Sequence, residues 1–161
     1  MIAIGFRADP GSIFWAVVQG MNAPLTLVAS GKLLLPTSYV EAAALSWSRS
    51  QVKNLLKEYR PEHSAVRYPE TNARTKHVVS AHKRARIEGV ILEALSSDNI
   101  PVLTGPLVTM SSHLGTESAK KYVDTGEFRG LNCSEMDSNL REAVMVAAAV
   151  LSSANANFNK P

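Results

Sequence analysis

The sequence predicts an α/β fold in which a five-stranded mixed sheet is flanked by helices on both faces. Three strand-like apolar segments come first, and helical and strand-like segments then alternate along the rest of the chain. A sheet that begins with hairpins and continues through helical crossovers contains antiparallel and parallel pairs. The last helical segment is apolar on most of its surface, so it is expected to lie buried against the sheet.

The first 35 residues predict a three-stranded meander. Residues 2–8 and 13–19 have the composition of buried strands, and the Asp-Pro-Gly-Ser sequence between them is typical of a tight turn. Residues 25–35 predict a third strand, and Gly31 within it indicates a bulge or turn.

Helical periodicity starts after Thr37 and Ser38, either of which can cap a helix that runs to Tyr59. The Arg60-Pro61 sequence ends this helix. The remaining predicted elements are a strand at 64–68, a basic helix at about 73–94, a strand at 100–105, a broken or paired short helix at 109–123, a loop at 126–136 and a closing helix at 136–151.

The length of 161 residues suits a single domain, which we assign to residues 1–152, followed by a polar tail at 153–161 that is expected to be disordered. A hydrophobic content of 45% with 19% charged residues is ordinary for a globular chain and excludes a fibrous or wholly disordered one.

Cysteine content and hydropathy help to predict the cellular compartment in which the chain lies. The single cysteine, Cys133, excludes an intramolecular disulfide and a thiolate zinc cluster, and it favours a reducing, cytoplasmic setting. No apolar stretch approaches the roughly 18 residues that span a bilayer, so no membrane association is expected. The net charge of +3 mildly favours an anionic partner.

Four segments, taken in order, carry a resemblance to a known family: IAIGFRADPGSIFWAVV, LLKEYRPEHSAVRYPE, AHKRARIEGVILEAL and SNLREAVMVAAAVL. Their order resembles the ribonuclease H-like fold and, within it, the RuvC-type Holliday-junction resolvases and their relatives. The likeness extends over roughly residues 2–151, although each motif alone is short. The resemblance implies a nuclease in which three or four carboxylates hold two Mg²⁺ or Mn²⁺ ions.

The chain departs from the family at the positions of those carboxylates. In an ungapped comparison the family's Gly-x-Asp falls on Gly5-Phe6-Arg7, and the glutamate at a strand end falls on Arg67. The D-x-x-D-A pattern of the last helix meets Asn139 and Glu142, so only Glu142 keeps a carboxylate. Two guanidiniums repel metal ions where the family's site supplies ligands.

A shifted register offers an alternative. Asp9 falls on the same strand face as Arg7, because side chains alternate along a strand. A shift of two residues would therefore place Asp9 at the metal together with Glu142, and Glu70 and Asp137 are the further candidates for catalytic carboxylates. Asp9 also suits the first position of a turn, and Asp137 suits a helix N-cap. Three shifts are required, so we favour the substituted site.

Two groups of basic residues are candidates for phosphate binding. Arg7 and Arg67 either form a structural ion pair with Glu142, which we favour, or line an anion pocket. The basic helix offers a second group that either contacts phosphates or forms a solvated face. Its members are Arg74, Lys76, Lys83, Arg84 and Arg86.

The sequence therefore predicts a RuvC-like protein with a degenerate carboxylate site, acting as a nucleic-acid-binding or interaction protein on DNA or RNA. The resemblance favours a homodimer, and no cofactor is expected. One alternative is a structure-specific nuclease with Mg²⁺ or Mn²⁺ as cofactor. Another is a dimeric structural module that binds no nucleic acid.

Overall fold

The computed structural model describes residues 1–21, 24–70 and 77–158, with side chains of the last helix described as far as Ser153. Five strands form one mixed sheet in the order β3-β2-β1-β4-β5, and two short strands form a separate hairpin. The elements are β1 (Ile2–Asp9), β2 (Ser12–Gln19), β3 (Thr26–Leu34), α1 (Glu41–Tyr59), β4 (His63–Arg67), α2 (Val78–Ser97), β5 (Val102–Gly105), α3 (Leu107–Leu114), α4 (Ala119–Thr125), β6 (Glu127–Phe128), β7 (Leu131–Asn132) and α5 (Ser138–Phe158).

Strand β1 lies at the centre of the sheet. It pairs antiparallel with β2 through the two-residue turn at Pro10 and Gly11, and parallel with β4. The parallel register places Arg7 directly beside Arg67, at the ends of both strands. Two cationic side chains thus reach the same edge of the sheet, because parallel strands end on the same side.

Helices cover both faces of the sheet, as the sequence predicts. Alternate residues of β1 divide between the faces, so that Ile4, Phe6 and Ala8 pack with α1 and α2. The opposite face, which includes Ala3, packs with α3, α4 and α5. Residues 143–151 of α5 are all buried, which agrees with the apolar surface that the sequence gives this helix.

Gly5 allows α5 to lie directly against β1. A Cβ atom at this position would be 2.1 Å from the carbonyl oxygen of Ala143 and 2.8 Å from the backbone nitrogen of Ala147. Only a residue without a side chain permits this close approach. The approach brings the first turns of α5, and with them Glu142, over the end of β1.

Some predicted boundaries were wrong. Helix α1 begins at Glu41, later than a cap at Thr37 or Ser38 implies, and its N-cap Val40 makes no capping side-chain hydrogen bond. The irregularity of the meander lies between Val17 and Val18, whereas β3 runs through Gly31 without a break.

The second half of the chain also differs in part from the sequence pattern. The predicted start of the basic helix, at about residue 73, falls outside the described residues, and α2 ends at Ser97. The predicted loop at 126–136 contains the β6–β7 hairpin. Helix α5 continues to Phe158, into the segment for which the polar composition predicts a disordered tail. Among the described residues, no helix combines the length and apolar composition needed to cross a membrane.

We expect Gly5→Ala to lower the free energy of unfolding by about 3 kcal/mol, the upper end of typical overpacking costs, because the added methyl meets backbone atoms that cannot move alone. Urea denaturation measures the change. Gly89→Ala is the control, because a Cβ on this helical glycine meets nothing within 4 Å. It should stabilise the protein by about 0.5–1 kcal/mol. Equal effects of the two substitutions would contradict the close packing of α5 on β1.

Candidate functional site

The candidate site lies at the sheet edge where β1 and β4 end, beneath the first turns of α5. Arg7 comes from β1, Arg67 from β4 and Glu142 from α5. All three side chains are largely buried, with 14%, 10% and 14% of their surface exposed. The three elements therefore direct their charged groups to one protected place.

The carboxylate of Glu142 binds both arginines through the same oxygen. Nε of Arg7 donates a hydrogen bond to Oε2 of Glu142 at 3.3 Å, and Nε of Arg67 lies 3.0 Å from that oxygen. The Arg67 N–H is not aligned with it, and finds no hydrogen-bond acceptor among the described residues. The predicted ion pair is confirmed, and it involves both arginines.

Two more carboxylates complete the group. Oδ1 of Asp9 lies 3.1 Å from Nη1 of Arg7, and Oε1 of Glu70 lies 3.6 Å from Nη2 of Arg67. Glu70 also accepts a hydrogen bond of 2.9 Å from the backbone N–H of Leu107, the first residue of α3. We call Arg7, Arg67, Glu142, Asp9 and Glu70 the arginine–carboxylate network.

Asp137 lies outside this network. Its Oδ1 accepts hydrogen bonds from the backbone N–H groups of Asn139 and Leu140, at 2.9 and 3.1 Å. This is the bonding of an N-cap residue, and it satisfies two of the free donors at the start of α5. The structure thus gives Asp137 the helix-capping role that the sequence offers as its structural interpretation.

A second ion pair lies close to the network. In α2, Nε of Arg84 donates to Oε1 of Glu88 at 2.9 Å, and both side chains are largely buried. Burial raises the pKa of Glu88, while the charges of Arg84, Arg67 and Arg7 oppose the rise. Burial also lowers the pKa of Arg67. The charge of Glu142 opposes this decrease, and the charges of Arg84 and Arg7 reinforce it. Arg84 and Glu88 of α2 therefore interact electrostatically with the arginines of the network.

The sequence predicts that Arg84 lies on a helix face that either contacts phosphates or is solvated, and it does not indicate a role for Glu88. The i,i+4 spacing of the two residues was the available signal for their pairing. Arg86 pairs with Glu41 across α1 and α2 at 3.0 Å. Lys83 forms no ion pair in the part of the chain that the structure describes. Arg74 and Lys76 lie outside the described residues.

The residues present do not fit a pair of divalent ions. Mg²⁺ requires several oxygen ligands in octahedral geometry, and the carboxylates of Asp9 and Glu142 in the network are bonded to guanidiniums. Within residues 1–21, 24–70 and 77–158, no three His, Cys, Asp or Glu side chains are grouped so that they could hold a metal ion. The network therefore places two positive charges at the sheet edge where β1 and β4 end.

A cavity of about 440 Å³ adjoins the network on the side of α3, α4 and α5. Arg67, Glu70 and Glu142 form one wall of it. Its other charged wall residues are Glu117, Lys120 and Asp124, and Lys120 is paired with Asp124 at 2.9 Å. Carboxylates outnumber cations on these walls, which favours the ion-pair interpretation of Arg67 over an anion pocket.

The order of strands, the helices on both faces and the meeting of β1, β4 and α5 at one edge define a ribonuclease H-like fold of the RuvC type. RuvC from Thermus thermophilus is similar over 100% of this chain and 99% of its own, with a TM-score of 0.77 and 21% identity. The same protein in complex with a Holliday junction substrate matches over 99% and 96% of the two chains, with a TM-score of 0.73 and 20% identity.

A more distant structure has the same fold. The yeast mitochondrial Holliday junction resolvase matches over 97% of this chain and 82% of its own, with a TM-score of 0.61 and 9% identity. No protein-family model and no curated protein sequence matches the chain. The comparisons thus confirm the predicted fold, and the chemistry of the site has to be argued from its own residues.

We expect Glu142→Gln to lower the free energy of unfolding by about 3–5 kcal/mol, because it leaves two buried guanidiniums without their shared counter-charge. Chemical denaturation at neutral pH measures this loss. Glu41→Gln is the matched control, since it removes one partner of a half-exposed pair with Arg86 and should cost about 0–1 kcal/mol. A loss at Glu142 as small as that of the control would show that the network contributes little to stability.

Proposed function

We propose that this chain is a nucleic-acid-binding protein of the RuvC fold that binds branched DNA without two-metal cleavage. The observation that supports this most directly is the double ion pair of Glu142 with Arg7 and Arg67. The chain keeps the three elements that build the site and replaces the chemistry that cleavage needs.

The absence of cleavage follows from charge and burial. The resemblance implies carboxylates at positions 7 and 67, and both positions hold arginines whose side chains are largely buried. A buried guanidinium cannot lose its charge at physiological pH and cannot act as a metal ligand. Neighbouring carboxylates are engaged by these cations, so the ions that would activate water have no place to bind.

The nucleic-acid partner is supported by the fold neighbours. Thermus thermophilus RuvC and the fowlpox virus resolvase are both known in complex with Holliday junction DNA. The net charge of +3 agrees in sign with a phosphate-rich partner. We propose DNA junctions as the substrate class, with RNA as the comparison in the test, and a homodimer in the cytoplasm as the acting form.

We expect the chain to bind a four-way DNA junction in EDTA, without any divalent ion, because no metal ion takes part in binding. Its Kd should rise with salt as phosphate contacts release counterions. Fluorescence anisotropy with a labelled junction, a linear duplex and an RNA duplex measures these values. The junction should remain uncut in Mg²⁺ or Mn²⁺.

Two results would contradict the proposal. Metal-dependent cutting of the junction that Glu142→Gln abolishes would support the nuclease alternative. Failure to bind any of the three nucleic acids would favour the structural module.

A charge-exchange variant tests the site directly. We expect Arg7→Asp with Arg67→Glu to gain Mn²⁺ binding, because the exchange surrounds the site with carboxylates from β1, β4 and α5. Titration calorimetry with Mn²⁺ should show heat for the variant and none for the parent chain.

The control exchanges two exposed cations in the same way, with Lys57→Asp in α1 and Lys121→Glu in α4. It changes the net charge equally and should gain no Mn²⁺ binding. Equal binding by both double variants would mean that added charge alone attracts the ion, and binding by the parent chain would contradict the proposed loss of the metal site.

A further inference from the structure

A groove lies at the same sheet edge as the network but on the opposite face of the sheet. It has a volume of about 360 Å³ and is formed by the β1–β2 turn, the segment before α1 and one side of α2. We call it the Tyr39 groove. Its lining residues are Pro10, Gly11, Leu35, Pro36, Thr37, Tyr39, Glu41, Ala44, Leu45, Lys83 and Ile87.

The groove combines an apolar interior with an exposed aromatic ring. Leu35, Ala44 and Ile87 contribute aliphatic surface, and half of Tyr39 is exposed to solvent. The neighbouring Val40 is 75% exposed. An aromatic ring presented beside an apolar cleft offers a flat partner for another ring, and it loses little entropy in doing so.

The charges of the groove favour an anionic occupant. Glu41 is neutralised by Arg86, which bonds to it from α2. Lys83 has no acidic partner within the described residues, so its ammonium is the charge at this groove that remains uncompensated. Apolar walls, one aromatic ring and one free cation are the elements with which proteins hold single nucleotides.

The turn at Pro10 and Gly11 connects the groove to the network. This turn follows Asp9 directly, and the carbonyl oxygen of Gly11 accepts a hydrogen bond of 3.0 Å from the N–H of Leu35. One side of the groove is thereby fixed to the end of β1. A nucleic acid that lies across this sheet edge would pass the network and the groove together.

We propose that the Tyr39 groove binds one unpaired nucleobase, stacked on Tyr39, with the adjoining phosphate at Lys83. A base within a duplex has both faces covered, so the groove selects nucleotides that a junction or fork leaves unpaired. This inference rests on the proposed function, because it names the part of the nucleic acid that this face recognises.

The test uses a DNA fork with 2-aminopurine at one unpaired position, in EDTA, and a fully paired duplex of the same length. Stacking on Tyr39 should quench the 2-aminopurine fluorescence. Tyr39→Ala should weaken fork binding roughly 5- to 150-fold, the range of one base–aromatic stack, and leave duplex binding unchanged. Tyr39→Phe should keep both affinity and quenching, and Lys83→Met should weaken fork binding without restoring fluorescence in the saturated complex.

A groove-filling variant tests the site without removing a contact. A Cβ at Gly11 meets nothing within 4 Å, so Gly11→Leu should fold normally and occupy part of the groove. It should weaken fork binding as Tyr39→Ala does. Gly89→Leu is the matched control, because its position on α2 is equally open and does not line the groove.

The outcomes separate this inference from the proposed function. If Tyr39→Ala and Gly11→Leu leave junction and fork binding unchanged, base binding in the Tyr39 groove is contradicted. The proposed function, binding of branched DNA, is then still supported. Absence of binding to every nucleic acid would overturn both. A change of molar mass in Gly11→Leu, measured by light scattering, with unchanged fork affinity would identify the groove as an interface between copies and overturn the inference.

Discussion

The structure depends on one carboxylate shared by two buried guanidiniums. Arg7 and Arg67 lie side by side because β1 and β4 are parallel and in register. Two buried positive charges next to each other are unfavourable unless a negative charge balances them. Glu142, on the helix α5 that packs over these strands, supplies this negative charge. The helix reaches this position because Gly5 lets its backbone lie against the strand. Sheet register, helix approach and charge balance are therefore three parts of a single arrangement, and a change in any one of them affects the others.

The same three elements can support two opposite chemistries. Carboxylates that converge at the ends of parallel strands attract divalent ions, whereas guanidiniums at the strand positions satisfy the helix carboxylate without any ion. The chain has the RuvC fold over its whole length at about 20% identity to the Thermus thermophilus structures. Fold similarity identifies where a site lies, and the side chains decide what the site does.

Much of this arrangement was predictable from the sequence. The apolar composition predicts the buried strands, and the order of the motifs predicts the sheet. An ion pair of Arg7 or Arg67 with Glu142 was the favoured interpretation of these residues, and the structure contains both pairs. The start of α1 was not predictable in this way. Glu41 begins the helix without a side-chain cap, and Thr37 and Ser38 remain in the preceding segment. The burial of Arg84 with Glu88 was missed as well, since composition alone cannot distinguish a solvated basic face from one that turns toward the sheet edge.

Under the proposed function, the charge balance of the network also affects how the protein would bind DNA. In a two-metal nuclease the ions neutralise phosphate charge at the site. Here two guanidiniums face three carboxylates, so the network itself offers no net attraction for a phosphate. The proposed affinity for DNA would then come from cations that the described residues leave unpaired, and from contacts that do not depend on charge. At the same sheet edge, Lys83 provides such a cation and the ring of Tyr39 provides such a contact. In the proposed function, binding of DNA therefore rests on the surface around the network and not on metal ions held by carboxylates.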